Sequence, residues 1–345
     1  MASPQKNQLS ISTLSIIKVV LVLLAFYVLY LIGNIVAMLF ISFVLFSAIN
    51  PIVNRLREYH VPRPLGVIII YLVLFAVISS VFILITPHVV EQAKGLIQAL
   101  PGYLEKTFAN FSELQKYSVQ YGLVDNIKQG LEFLQQGVSL GAKGIFSIIA
   151  SIFGGVASFF IILVITFYMI AEKDAIYSFL NNAIPEAHRK RAMSLIESVQ
   201  EKLGLWARAQ LILSFVIFLL IFIFLSIFKI KYALVLALIA GLTEFIPYLG
   251  PIIGAIPAVI IAFFQSPVNA LIVIVIYYAV QQIENTILVP QIMRKAVGIN
   301  PVISITALMA GLKLGGIFGA ILAIPVVVTL GVILNSILEK RESQK

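Results

Sequence analysis

Residues 243–257 read Thr-Glu-Phe-Ile-Pro-Tyr-Leu-Gly-Pro-Ile-Ile-Gly-Ala-Ile-Pro, within an otherwise apolar run. Three prolines and a glutamate stand where a membrane-crossing helix would carry none. Residues 311–319, Gly-Leu-Lys-Leu-Gly-Gly-Ile-Phe-Gly, suit a helix interior no better. How the chain accommodates these two breaks decides its architecture.

The surroundings are those of an all-α integral membrane protein. Of 345 residues, 61% are hydrophobic and 11% charged, against about 25% charged in soluble domains. Several apolar runs exceed the ~18 residues of a spanning helix. Cysteine is absent, which removes disulfides and thiolate chemistry. The histidines His60, His88 and His188 and the aspartates Asp125 and Asp174 all fall in polar connections. No H-E-x-x-H, G-x-S-x-G or membrane-embedded aspartate pair occurs. The chain is therefore read as no enzyme, with no metal and no cofactor. Its net charge of +9 sits mostly at the ends of apolar segments. That placement suits orientation signals and lipid headgroup contacts, not nucleic acid.

Residues 14–49 would make a helix of roughly 54 Å, too long for one crossing of a ~30 Å core. Gly33-Asn34 is the natural turn, giving spans at 14–32 and 35–50. A third span follows at 65–86, a fourth at 145–171, a fifth at 209–228 and a sixth at 268–289. Residues 87–143 carry five lysines and five acids, with Leu96, Leu100, Tyr103, Leu104, Phe108 and Phe111 near helical spacing. They form amphipathic helices that pack on the membrane part or a neighbouring subunit, or a separate binding domain. The positive-inside rule puts the N-terminus, the 51–64 loop and the 172–208 stretch in the cytoplasm. The neutral insert is then outside. Five units result: spans 1–86, the extracytoplasmic insert 87–143, a span with charged helices 144–208, a transport core 209–338 and a tail 339–345.

Lys340, Arg341 and Lys345 put the C-terminus inside, so the number of crossings must be even. Parity holds if 232–264 and 301–333 are re-entrant hairpins of opposite orientation, leaving six full spans. Ala237-Leu-Ile-Ala-Gly-Leu242 matches Ala307-Leu-Met-Ala-Gly-Leu312 in five of six positions, and Gly254-Ala-Ile recurs at Gly319-Ala-Ile. This is the inverted repeat expected of secondary transporters. Broken helices are tolerated where they line a watery cavity or lie buried in protein. The tips, with Pro247, Tyr248, Gly250, Pro251, Gly311, Gly315 and Gly316, are the candidate pathway.

Among ionisable groups, only Glu244, Glu284 and Lys313 lie deep in apolar stretches, while Lys18 can snorkel. Glu244 and Lys313 follow the shared Ala-Gly-Leu in both repeats and could pair, either as a fixed bridge or as an ion- or proton-coupling site. Tyr277, Gln281, Glu284, Asn285 and Leu288 share one helical face. That stripe faces the hairpins or marks a helix end emerging into water; Pro290 then stops or kinks the helix.

The segments Glu244-Phe-Ile-Pro-Tyr-Leu-Gly-Pro251, Gln282-Ile-Glu-Asn285 with Val289-Pro290, and Gly298-Ile-Asn-Pro301 through Gly311 to Pro325 resemble the autoinducer-2 exporter family of permeases. The resemblance covers 232–331. It implies a multi-spanning transporter in a bacterial-type cytoplasmic membrane, homo-oligomeric. Some members are associated with autoinducer-2 export and others with sodium(lithium)/proton antiport. Tyr248, Gln281 and Asn285 suit a polyol-like solute; Glu244 and Glu284 suit a monovalent cation and protons. A passive channel and a non-transporting scaffold are the remaining alternatives.

Overall fold

The computed structural model of the protein describes residues 31–77, 156–293 and 300–342, with isolated positions between 17 and 30 and between 79 and 95. Nearly all of the 87–143 insert, about half of the first span and the start of the fourth lie outside the described residues. In chain order the helices are α1 (Gly33–Glu58), α2 (Arg63–Val77), α3 (Val156–Ala171), α4 (Lys173–Ala183) and α5 (Glu186–Ile227). They continue with α6 (Ala233–Thr243), α7 (Leu249–Gln265), α8 (Pro267–Ile283), α9 (Val289–Met293) and α10 (Pro301–Glu342). A π-helical turn, Glu284–Leu288, joins α8 to α9. Among the described residues no strand occurs. Among the described residues four rods are long and apolar enough to cross a membrane: α1, α5, Pro267–Met293 and Pro301–Leu338.

Three expected boundaries differ. Helical hydrogen bonds run from Ile32 to the Val28 carbonyl and from Val36 to the Ile32 carbonyl, both 3.0 Å. The chain therefore does not reverse at Gly33-Asn34; one glycine costs a helix interior only about 1 kcal/mol. The charged stretch before residue 209 and the span after it are a single 42-residue helix, α5. Val199, Leu203 and Trp206 give its polar half a buried stripe continuous with Leu213, Ile217, Ile221 and Leu225. Pro290 does not end its helix. The π-turn just before it lets the Val289 amide reach back five residues to the Glu284 carbonyl, which relieves the crowding a proline ring imposes on the preceding turn.

α5 is the central rod, packed against α1, α6, α8, α9 and α10. Where it crosses α1, Gly204 lies against the Ser47 carbonyl so closely that any side chain would collide. α1 and α3 are joined by small polar groups in the manner of membrane helices. The Ser42 hydroxyl donates to the Ile162 carbonyl and the Thr166 hydroxyl to the Ser42 carbonyl, each at 3.3 Å.

Both sequence breaks fold the chain back on itself. Gly254 approaches Ala240, and Gly250 approaches the Thr243 carbonyl, so α6 and α7 run antiparallel. In α10 the helix is interrupted at Gly315 and Gly316. Gly311 then lies backbone to backbone against Gly319; a straight helix would hold them ~12 Å apart. The first tip packs on the second hairpin, with Ile246 and Leu249 against Leu308, Ala320 and Ile321.

Candidate functional site: a buried carboxyl pair

Glu244 is the residue at which α6 ends, its amide still bonded to the Ala240 carbonyl at 3.1 Å. Glu284 opens the π-turn beyond α8. Both side chains point into the protein, 2% and 7% exposed. Their carboxyl groups lie near enough to act on each other, and Gln281 stands one turn before Glu284. Two carboxylates buried side by side repel, so a proton or a cation placed between them is favoured.

The surroundings hold the pair in place yet leave it incompletely satisfied. The Gln210 side-chain amide, 2% exposed on α5, donates to the Glu244 backbone carbonyl at 2.8 Å. Glu244 Oε2, Tyr277 OH on α8 and Ser214 Oγ on α5 are buried polar atoms without a protein partner. Such atoms are rare in folded proteins, and each invites a polar guest, water or ion.

The expected site residues divide. Glu244, Gln281 and Glu284 meet here. Asn285 is exposed and only accepts a long, 3.5 Å bond from Gln281. Pro247 and Pro251 are half-buried in the first tip and Gly250 is buried beneath it. Tyr248, 47% exposed, takes a left-handed backbone with φ 65°. Gly311 binds the second hairpin together, while Lys313, Gly315 and Gly316 are exposed at its tip. Among the described residues no ion pair links Lys313 to Glu244; the acid buries itself against another acid instead. Gln210 was missed. The signal was present, an amide in the first turn of an apolar run. Among the described residues no cluster of three His, Asp or Glu side chains occurs that would hold a metal.

The chain is similar to several proteins named for transport. YrrI of Bacillus subtilis, provisionally named a transport protein, is 28% identical over 317 residues, 89% of this chain and 86% of its own. YueF of the same organism, named in the same provisional way, is 27% identical over 297 residues, 83% of this chain and 79% of its own. The AI-2 transport protein TqsA of Escherichia coli is 22% identical over 298 residues, 86% of this chain and 83% of its own. The chain belongs to the AI-2E transporter family, whose model it matches over residues 16–339.

Proposed function

We propose that the protein is a secondary transporter that moves a small solute across the cytoplasmic membrane by alternating access, with Glu244 and Glu284 as its coupling site. The observation that carries this is the juxtaposition of two buried acids from different helices. A site holding one proton between two carboxyls can release it when a cation or a hydrogen-bonding solute takes its place. The hairpins are read as re-entrant halves of an inverted repeat. The matching close approaches, Gly254 on Ala240 and Gly319 on Gly311, support that reading. So do the positive-φ residues, Tyr248 and Gly316, that begin both returning arms. Arg55, Arg57 and Arg63, which flank the turn between α1 and α2, the charged half of α5 and the C-terminus are assigned to the cytoplasm, and the functional unit is read as a homo-oligomer.

The substrate assigned is a small polar signal molecule of the autoinducer-2 kind, exported; the name borne by TqsA supports it. The second reading, sodium(lithium)/proton antiport, is favoured by the carboxyl pair itself, whose hard oxygens suit a monovalent cation. Proton flux in proteoliposomes after a sodium pulse separates the two. Sodium-driven proton movement that disappears in Glu244→Gln and Glu284→Gln would establish antiport. No movement from correctly assembled protein would overturn antiport, and flux driven by the furanone would then be the quantity to measure. Unchanged furanone transport in both variants would remove the pair from the mechanism.

A further inference from the structure

A cavity of about 220 Å3 lies between α1, α4 and the charged half of α5, sharing no lining residue with the carboxyl pair. Its wall has two poles. Arg208 and Lys173 supply positive charge; Glu197 and Glu201 supply negative charge. Among the described residues no ion pair joins any of these four to another. Arg208 donates to the Ala48 carbonyl at 3.2 Å, and Lys173 lies over the Tyr177 ring at 5.1 Å. The Tyr177 hydroxyl in turn donates to Gln200 at 2.7 Å, fixing the floor. Opposite charges thus share one space, near enough for Glu197 to act on Lys173 but outside ion-pair distance.

Arg208, Glu201 and Glu197 follow one another along α5, from its apolar half outward. Arg208 immediately precedes the apolar half of α5, and Lys173 is two residues beyond the end of α3. Both cations therefore sit where helices leave the apolar region. Glu201 and Glu197 are one and two further stretches toward water, ~10 and ~16 Å along the α5 axis from Arg208. A zwitterionic lipid headgroup has the same order, phosphate next to the acyl region and ammonium outward. We propose that this cavity binds a phosphoethanolamine headgroup from the leaflet on this side, with phosphate between Arg208 and Lys173 and the primary ammonium toward Glu201 and Glu197.

Size and charge both select this occupant. The cavity is below the ~300 Å3 at which pockets for drug-sized ligands begin. A glycerol headgroup offers no cation to the two glutamates, and a trimethylammonium offers them no N–H donor. Burial, and after it the neighbouring Arg63 guanidinium, hold the Lys173 ammonium below the ordinary lysine range; an anion beside it offsets that cost. A soluble phosphoethanolamine ester has the same chemistry, but the site's level at the helix exits favours the lipid. The inference does not depend on which solute is transported.

Native mass spectrometry of the full chain in detergent, with equal amounts of phosphatidylethanolamine, phosphatidylglycerol and phosphatidylcholine, tests it. The wild type should retain the ethanolamine lipid about tenfold over the other two, ~1.4 kcal/mol. The Glu197→Gln, Glu201→Gln double variant should lose that preference while keeping its phosphatidylglycerol retention. Lys173→Met, a single change at the other pole, should lower retention of both phospholipids. Equal retention of all three lipids by the wild type overturns the proposal, as does a preference that survives in the double glutamate variant or retention left unchanged by Lys173→Met. Displacement of the lipid by an equal concentration of glycerophosphoethanolamine overturns the lipid source and assigns the site to a soluble zwitterion.

Discussion

Lys173 occupies the seam between α3 and α4, partly buried beside Arg63. Because its folded value lies below the ordinary 10.5, the unfolded chain holds this proton more tightly. The cost is full at neutral pH and fades as pH rises from the lowered value through 10.5. In delipidated protein Lys173→Met should raise the melting temperature at neutral pH and lose that advantage in strong alkali; an equal gain at both would show a packing effect instead. The residues of the carboxyl pair were individually legible as the two acids inside apolar stretches. Their partnership was not. Helical period fixes which face of one helix a residue shares, but not how two helices are rotated about each other. Lys313, at the matching place in the second repeat, therefore looked like the partner of Glu244, and its exposure at the tip removes it. Gln210 escaped for a related reason: it lies within the expected 209–228 span, but nothing local shows that it reaches the end of α6.

At the level of elements, the tips were readable because proline and glycine act on the backbone directly, whatever packs around them. Gly316 has φ 58°, ψ −144°, a region closed to side chains, whereas Gly315 has φ −134° and open space around it. Gly316→Ala should cost about 1–3 kcal/mol of hairpin stability and Gly315→Ala close to none, compared as melting temperatures in one detergent. Equal losses would mean that the chain turns elsewhere. Continuity was harder to read. Nothing local announces that α5 passes from charged to apolar sequence without a joint, since the stripe that unites its halves rests on what α1 and α9 present to it. The reversal expected at Gly33-Asn34 failed in the opposite sense. A glycine permits a turn, and in an apolar helix it also permits none.

Across the whole molecule, the two hairpins meet through Ile246, Leu308 and Ala320 and nowhere carry an interhairpin ion pair among the described residues. Apolar contacts of this kind can slide at low cost. The absence of native cysteine makes the slide measurable. Ile246→Cys with Leu308→Cys, joined by a short cleavable thiol crosslinker, should stop transport, and cleaving the linker should restore it. Transport undisturbed by an intact crosslink would rule out relative motion of the hairpins. At the periphery Asp174 ties Arg63 at 3.2 Å and Arg57 at 3.9 Å, joining α4 to both sides of the loop after α1. The guanidinium of Arg191 likewise donates to the Ser336 carbonyl near the end of α10. The water-side ends of several rods are thus tied to one another. The contact at Gly204 then acquires a mechanical meaning. It pins α5 with ~27 Å of helix on the watery side and ~34 Å on the other, a lever with nearly equal arms about a fulcrum too tight for a methyl group. Gly204→Ala should prise the fulcrum open and slow turnover with the carboxyl pair chemically intact, a result read as lower flux at unchanged substrate affinity. A displacement at the end of the water-side arm reaches Gln210, ~9 Å beyond the fulcrum, and through it Glu244, reversed in direction and about one third as large.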